Sequence, residues 1–549
     1  MNSLSDQSSY SFLLKPENAA VLDREASESW GLSPFALVEA AGRYCALELE
    51  KEIKSNPFFA SSFQGRILVC AGSGNNGADA LVMLRSLVNK KNAVAVLNKY
   101  PSSDENNPRS MAVKALEAMG VPVITFNSEE QTEDLFRDAS LIIDGIAGTG
   151  LKGRLEGAAL EMVKAINKKK NDKEHAECCI VSIDLPSGSG QAWQPDFPVV
   201  DADYTLAVEP VKTVLYTPQL RPYCGKIIPV RNIFPRNLLE KYGDGELLSW
   251  ENTKDRIPCV KAHDYKYKRG VVEIHAGAIG TQGAARIAAR GASAAGGGLI
   301  RLVLDDALYP IIASSLGGTM AVPASKFFSN KLEAGEKDCI LAGPGRGRDT
   351  KDILQYALNM EKKGIPLVLD ADGIVLLKEL FPETSVDSGG HNSYFFHGKT
   401  ILTPHPGELE TLSGIPKNRL LCEPALIAEI AHKLNAVILF KSHVMVIASP
   451  CGRVGYIDGM EPSLGAGGSG DFLAGLCAGI AGRMYALEKS GIGNFDPYTI
   501  AAAAGTLLLA ASRSLGRQFY DPLELAKSAA LLAGHAWLPF RQNYSEKPQ

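Results

Sequence analysis

Apolar residues recur along this chain in short runs, each bounded by glycine, proline or polar clusters and followed by a stretch with apolar positions at helical spacing. RILVC (66–70) reads as a buried strand, and ADALVMLRSLVNK (78–90) as the helix after it. AVAVLN (93–98) is a second strand and RSMAVKALEAMG (109–120) a helix closed by Gly120. VPVITF (121–126), SLIIDGI (140–146) and CIVSIDLPSG (179–188) are further strands. This β-α-β-α rhythm predicts a parallel sheet with helices on both faces. Helices over ENAAVLDREASES and PFALVEAAGRYCALELEKEI are expected to precede it.

The rhythm restarts after a polar, proline-containing stretch, LLSWENTKDRIPCVKAHDYKYKRG (247–270). VVEIHAG (271–277), LIRLVL (299–304), DCILAG (338–343), PLVLDAD (366–372), KTILTPH (399–405) and AVILFKS (436–442) read as strands. SVDSGGHNSYFFHG (385–398) reads as an exposed excursion. The boundary falls near 245, giving domains 1–245 and 246–549. The length of 549 residues supports this, since one core rarely serves so long a chain. The expected fold class is α/β, with two three-layer αβα domains.

Composition narrows the function. A net charge of -4 and a pI near 6.2 lack the basic footprint of a nucleic-acid binder. The N-terminus lacks the basic-then-apolar pattern of a secretory signal. TIAAAAGTLLLAAS (499–512) is too short and too weakly apolar for a bilayer and reads as a buried helix. The ten cysteines are scattered without a CxxC pair, as reduced thiols in a cytoplasmic protein are. No nucleic-acid or membrane partner is expected; a homo-oligomer is.

The most specific motif is GAGGSGDFLAG (465–475), before an apolar helix. Its backbone amides and the helix dipole suit a phosphate or a developing oxyanion, and Asp471 places a base beside them. A capped helix start is the structural alternative. TPHPGE (403–408) puts His405 and Glu408 after a strand, where open α/β sheets bind ligands. Each could equally cap or charge the helix that follows. GPGRGRD (343–349) allows close backbone approach but is no Walker A loop. LDAD (369–372) is weaker, because acidic residues often end strands without chemistry.

VVEIHAGAIGTQGAARIAARGASAAGGGLIRL, GPGRGRD, LDADGI, TPHPGELE and GAGGSGDFLAG occur in the order found in the ADP/ATP-dependent NAD(P)H-hydrate dehydratases, which the C-terminal half resembles. The resemblance implies a ribokinase-like fold, ADP or ATP as co-substrate, and magnesium. It implies substrate contacts at Ala284, Gly345, His405 and Asp471, and nucleotide contacts at Lys441, Gly468, Ser469 and Gly470. Glu408 would be a divalent-metal ligand and Asp471 the catalytic base. FKSHVM (440–445) keeps Lys441 but has Ser442 and Met445 where the family pattern LKGxxT has Gly and Thr. A lost glycine restricts the turn and a lost hydroxyl removes a phosphate or ribose contact, so weaker nucleotide binding is expected.

In the N-terminal half, VCAGSGNNGADALV (69–82) contains GxGxxG as Gly72, Gly74 and Gly77. The next strand ends in LNKYP, with no acidic residue for a ribose hydroxyl, which disfavours a simple dehydrogenase. Asn75, Asn76, Gly77 and Asp79 make this loop polar. IIDGIAGTGLKGR (142–154) adds Asp144 and the glycine-rich turn Gly148, Thr149, Gly150, and IDLPSG (183–188) adds Asp184 and Ser187. Three such loops at one sheet edge would line one pocket. These motifs resemble the NAD(P)H-hydrate epimerases, which have a Rossmann-like fold. The resemblance implies potassium held by Asn76, Asp144 and Ser187, substrate at the two glycine-rich loops and Asp184, and Lys212 of TLAVEPVKTVLY (205–216) as acid/base partner. GNNGADA replaces the usual GNNGGDG, and the methyls of Ala78 and Ala80 are expected to shrink the pocket.

The leading reading is repair of hydrated NADH and NADPH by epimerisation and dehydration. A small-molecule kinase with a degenerate, ligand-binding N-terminal domain is the alternative. A scaffold role for the N-terminal half, as in RNA-decapping proteins, is a third.

Overall fold

The computed structural model describes the chain except residues 1–11, 56–64, 88–91, 102–106, 127–133, 173–177, 262, 333–334, 383–393, 517–519 and 538–549. The chain splits into compact units at Phe12–Gly245 and Glu246–Gln549.

The first unit is a parallel sheet of β1 (Arg66–Ala71), β2 (Ala93–Leu97), β3 (Val123–Thr125), β4 (Ala139–Gly145), β5 (Cys179–Ile183), β6 (Tyr204–Val208) and β7 (Lys226–Val230). Its order is β3-β2-β1-β4-β5-β6-β7, every neighbouring pair parallel. Helices α1 (Pro16–Trp30) and α2 (Pro34–Ser55) precede the sheet. The helices α3 (Asn75–Leu87), α4 (Pro108–Ala118) and α5 (Gly157–Asn171) connect its strands. Separate apolar cores cover the two faces, one around Val69, Leu81 and Ile143, the other around Leu68, Ile142 and Ile166. That accounts for the unbroken apolar runs in the central strands. Strand order reverses between β1 and β4, so their carboxyl ends open a crevice where such sheets bind ligands.

The second unit contains β8 (Val271–His275), β9 (Leu299–Leu304), β10 (Met320–Pro323), β11 (Cys339–Ala342), β12 (Leu367–Leu369), β13 (Thr400–Leu402), β14 (Val437–Phe440), β15 (Val444–Ala448) and β16 (Val454–Asp458). They run in the order β16-β15-β14-β13-β12-β11-β8-β9-β10. The sheet is parallel from β10 to β14, and β14, β15 and β16 pair antiparallel. The order reverses between β8 and β11. Helices α6 (Gln282–Ala294), α7 (Asp372–Leu380), α8 (Pro406–Ser413), α9 (Ser469–Lys489), α10 (Pro497–Ser514) and α11 (Pro522–Trp537) pack on it. The small residues in α6 and α9 let their backbones meet. A Cβ at Gly475 would lie 2.2 Å from the Ala288 carbonyl oxygen, and one at Gly291 would lie 2.4 Å from that of Phe472.

Most elements read from the sequence are present; β6, β7, β10, β15 and β16 were not anticipated there. The last two follow β14 without an intervening helix, which breaks the rhythm that identified the others. Of the segment read as an exposed excursion, 385–393 lies outside the described residues. Its end is only partly exposed: Phe395 and His397 are open to solvent, while Tyr394 and Phe396 are buried, their rings 4.8 Å apart. TIAAAAGTLLLAAS lies in α10, and Ile500 to Leu509 are buried. No helix among the described residues is long and apolar enough to cross a membrane.

Candidate active sites

In the first unit, the loops after β1, β4, β5 and β6 surround a cavity of about 660 Å³. Asn75, Asn76, Asp79, Gly148, Thr149, Gly150, Asp184 and Lys212 all line it. The loop after β1 is held against the one after β4 by contacts only glycine permits. A Cβ at Gly72 would lie 1.7 Å from the Ile146 carbonyl oxygen, and one at Gly77 would lie 2.2 Å from that of Gly72. Gly77 thus shapes the loop without lining the cavity.

Asp184 follows β5 with φ +63, in the left-handed region that side chains avoid. Its amide donates to Leu206 O at 2.8 Å, which fixes the turn. Lys212 Nζ lies 2.7 Å from Asp184 Oδ1 and donates to Val208 O at 2.9 Å. Both residues are buried. Burial, then Asp184 and Asp23, push the Asp79 carboxyl well up, against the pull of Lys212. Asp23 of α1 faces the cavity and is open to solvent. Desolvation among its protein neighbours raises its carboxyl, Lys212 opposes, and Asp184 adds to the rise. Asp23 escaped the sequence reading because nothing local ties α1 to the sheet's carboxyl edge.

Asp144 is fully buried and accepts from Ser182 Oγ at 2.7 Å, Ser187 N at 2.8 Å and Ser187 Oγ at 2.5 Å. Desolvation still outweighs these bonds and raises its carboxyl. Asn76 tests the potassium expectation. Its Oδ1 and Nδ2 are buried without a hydrogen-bond partner among the described residues. Its Cβ lies 3.3 Å from where one at Gly148 would stand, so the amide sits against the Asp144 loop. Uncompensated amide oxygen, carboxylate and hydroxyl make a donor set that fits a hard cation. Ala78 and Ala80 do not line the cavity. Both lie in the apolar core, with the Ala80 methyl facing Gly145. The expected shrinkage of the pocket is therefore corrected: the methyls point the other way.

In the second unit, Asp471 lies in the first turn of α9, behind Gly468 at φ +96. Lys441 Nζ is 2.5 Å from Asp370 Oδ1, and a Cβ at Gly470 would be 3.4 Å from the same nitrogen. Asp370 is buried and also accepts from Thr403 Oγ1 at 2.8 Å. Desolvation first, then Asp370, push the Asp471 carboxyl up to about 6, while Lys441 pulls the other way. Ser469 Oγ donates to Leu464 O at 2.8 Å, which secures the turn. LDAD, discounted in the sequence, thus supplies the carboxylate that anchors Lys441. The available signal was its position at the carboxyl end of a buried parallel strand.

His405 caps α8. Its Nδ1 accepts from Gly407 N at 2.9 Å and Glu408 N at 3.2 Å, while Glu408 Oε2 accepts from His405 N at 2.8 Å. His405 Nε2 lies 3.2 Å from Glu408 Oε1. The capping alternative is realised, and it leaves the imidazole half exposed. Desolvation raises the Glu408 carboxyl, Lys441 opposing. Among the described residues no three His, Cys, Asp or Glu side chains group to hold a metal. Ala284 and Gly345 meet at the strand-order reversal. A Cβ at Gly345 (φ +52) would be 2.9 Å from that of Ala284, and Thr281 Oγ1 donates to Gly345 O at 2.6 Å. Met445 is not in a nucleotide loop. It is buried in β15, its sulfur 3.6 Å from where a Cβ at Gly505 would stand, so the expected loss of a phosphate or ribose contact at this position is corrected.

The family described as YjeF-related protein N-terminus matches residues 34–214, and the NAD(P)H-hydrate dehydratase family matches residues 272–529. The chain is 29% identical over 497 residues to the bifunctional NAD(P)H-hydrate repair enzyme of Moorella thermoacetica, covering 86% of this chain and 88% of that one. It is 27% identical over 536 residues to the enzyme of that name from Salinibacter ruber, covering 93% of each. The chain belongs to the bifunctional NAD(P)H-hydrate repair enzymes. Among solved structures, the ADP/ATP-dependent NAD(P)H-hydrate dehydratase from Bacillus subtilis, co-crystallised with ATP and Mg2+, aligns with the repair enzyme at 23% identity and a TM-score of 0.43, over 52% of this chain and 97% of that one. A ribokinase-like superfamily protein from Enterococcus faecalis aligns at 23% identity and a TM-score of 0.46, over 56% of this chain and 100% of that one.

Proposed function

We propose that the two units carry the two activities separately: residues 1–245 interconvert the R and S hydrates of NADH and NADPH, and residues 246–549 dehydrate the S form at the expense of ADP or ATP. The observation that carries this is the pairing of two distinct acid/base centres in one chain, Lys212–Asp184 in the first unit and Asp471 beside Lys441–Asp370 in the second.

In the first unit, inverting the hydroxyl-bearing carbon requires bond breaking and re-formation with proton transfer. Asp184 and Lys212 carry that transfer. Asn75, Asn76, Asp79 and the Gly148–Gly150 turn hold the substrate, and Gly77 shapes the loop that presents the asparagines. Potassium on Asn76, Asp144 and Ser187 would fix the loops around it.

In the second unit, Asp471 takes the proton of the substrate hydroxyl as its oxygen attacks the terminal phosphorus of the nucleotide; the bond from that phosphorus to the bridging oxygen breaks, and ADP leaves from ATP, or AMP from ADP. The Gly468, Ser469 and Gly470 amides and Lys441 stabilise charge on the transferring group. Phosphate is then a better leaving group than hydroxide. Its carbon–oxygen bond breaks, a proton leaves the adjacent carbon, and the ring double bond returns. Ala284, Gly345 and His405 contact the substrate. Magnesium would neutralise the nucleotide's phosphates, with Glu408 as the carboxylate this chain offers. We place the enzyme in the cytoplasm, in keeping with its free thiols.

The test supplies purified protein with pure R hydrate or pure S hydrate, each with and without nucleotide and potassium, and follows the products by chromatography. Conversion of R to S without nucleotide, and of S to reduced cofactor only with it, is expected. Absence of both conversions would remove the proposal.

A further inference from the structure

Arg483 lies in α9, twelve residues beyond Asp471 (483 − 471), which places it about 18 Å further along the helix axis, toward the opposite edge of the sheet. It is among the largest fully buried side chains, at 2% exposure, and its Nη1 and Nη2 have no hydrogen-bond partner among the described residues. Its Cζ stands 5.3 Å over the Trp537 ring, whose Nε1 is fixed by donation to Lys254 O at 2.8 Å. Arg269 lies just before β8 on the loop pressed against α9, where a Cβ at Gly270 would be 2.4 Å from the Gly482 carbonyl. Its Nη2 donates to Gly296 O at 3.2 Å, but its buried Nε has no partner among the described residues. Among the described residues, Asp264 is the carboxylate that acts on Arg483. It accepts the Lys261 amide at 2.7 Å and pairs with neither guanidinium.

Two neighbouring cations with unused buried N–H groups are an unstable arrangement without a counter-charge. Loss of solvent first, and Arg269 next, bring the Arg483 guanidinium down to about 10. The aromatic face offsets part of this but leaves the in-plane N–H groups unused. Guanidinium forks match oxyanions in geometry as well as charge. We propose that Arg269 and Arg483 bind one small tetrahedral oxyanion of the phosphate or sulfate class, at the edge of the second unit opposite its catalytic turn. The ion would tie the loop before β8 to α9, the helix that also presents Asp471.

The test titrates inorganic phosphate and sulfate into the full chain in chloride buffer by calorimetry. It compares wild type with Arg483→Met and Arg269→Gln. Wild type should bind one phosphate beyond any that both variants retain, and each variant should weaken that binding tenfold or more. Arg483→Met, which removes an unpaired buried charge at similar volume, should also melt higher than wild type in chloride and lose the upward shift that phosphate gives wild type. Equal phosphate binding by all three proteins would overturn the proposal. So would a wild-type chain that binds none at about 10 mM, which is weaker than the millimolar range of a specific site. If Arg483→Met does not fold, Arg269→Gln on the less buried partner decides.

Discussion

Lys212 Nζ and Asp184 Oδ1 stand 2.7 Å apart in the first unit, a buried ion pair joining the turn after β5 to the segment after β6. The cavity that they line also holds Asp79, whose carboxyl is pushed well up by burial and then by Asp184. Asp184→Asn and Lys212→Met should each lower R-to-S conversion by about 10²-fold or more, the usual scale for a lost acid/base group. Dehydration of S hydrate should be unaltered. Chromatography without nucleotide checks the first, and a coupled assay with nucleotide the second. Unchanged conversion in both variants would place the chemistry elsewhere.

Asp471 sets the acid limb of dehydration. Its carboxyl must be ionised to accept a proton and is held at about 6, so kcat/KM should fall about tenfold per pH unit below that value. The stability consequence runs the other way. A carboxyl raised in the folded state destabilises the fold where it is ionised, and this cost fades as pH falls from about 6 toward the ordinary value of 3.8. Asp471→Asn should abolish dehydration yet melt higher than wild type at pH 8, the difference shrinking toward pH 4. Calorimetric melting across that range checks the sign.

Met445→Thr tests where the side chain points. A nucleotide-loop position would gain affinity from the hydroxyl. A core position would lose packing and bury an extra polar group, at a cost of about 2–4 kcal/mol. The buried setting beside Gly505 favours the second outcome. Denaturant unfolding should show the loss, while ADP and ATP affinities, measured on the folded protein, stay within twofold of wild type.

Ala78→Gly and Ala80→Gly restore the glycines of the resembling motif. Both positions are in α3 and packed in the core, so each change should cost about 1 kcal/mol from helix propensity and more from lost contact. Epimerisation rates should not rise. A faster Ala78→Gly enzyme would mean that the methyl does reach the substrate.

Removal of potassium should slow epimerisation and leave dehydration alone. Asn76→Ala should abolish that dependence, since its amide is the uncompensated donor in the set. Rates with potassium replaced by a bulky organic cation decide it.

The sequence by itself determined the α/β class, the restart of the rhythm near 245 and the loops that carry chemistry, because apolar runs, glycine turns and helical spacing are local properties. It located Asp184, Asp144 and Asp471 for the same reason: each lies in a motif at a strand or helix end, whereas Lys212 came only from the resemblance of TLAVEPVKTVLY to the epimerases. What surrounds those residues was decided only in three dimensions. The ion pair between Lys441 and Asp370 joins residues far apart in the chain, and Asp23 reaches its cavity from a helix that precedes the sheet. The faces taken by Ala78, Ala80 and Met445 were likewise invisible. A motif gives a residue's place along the chain, but the direction of its side chain depends on which neighbouring layer offers a core to fill. Arg483 shows the same limit, an arginine within an apolar helical run, buried with no hydrogen-bond partner for Nη1 and Nη2 among the described residues because of how the loop before β8 and Trp537 of α11 close around α9.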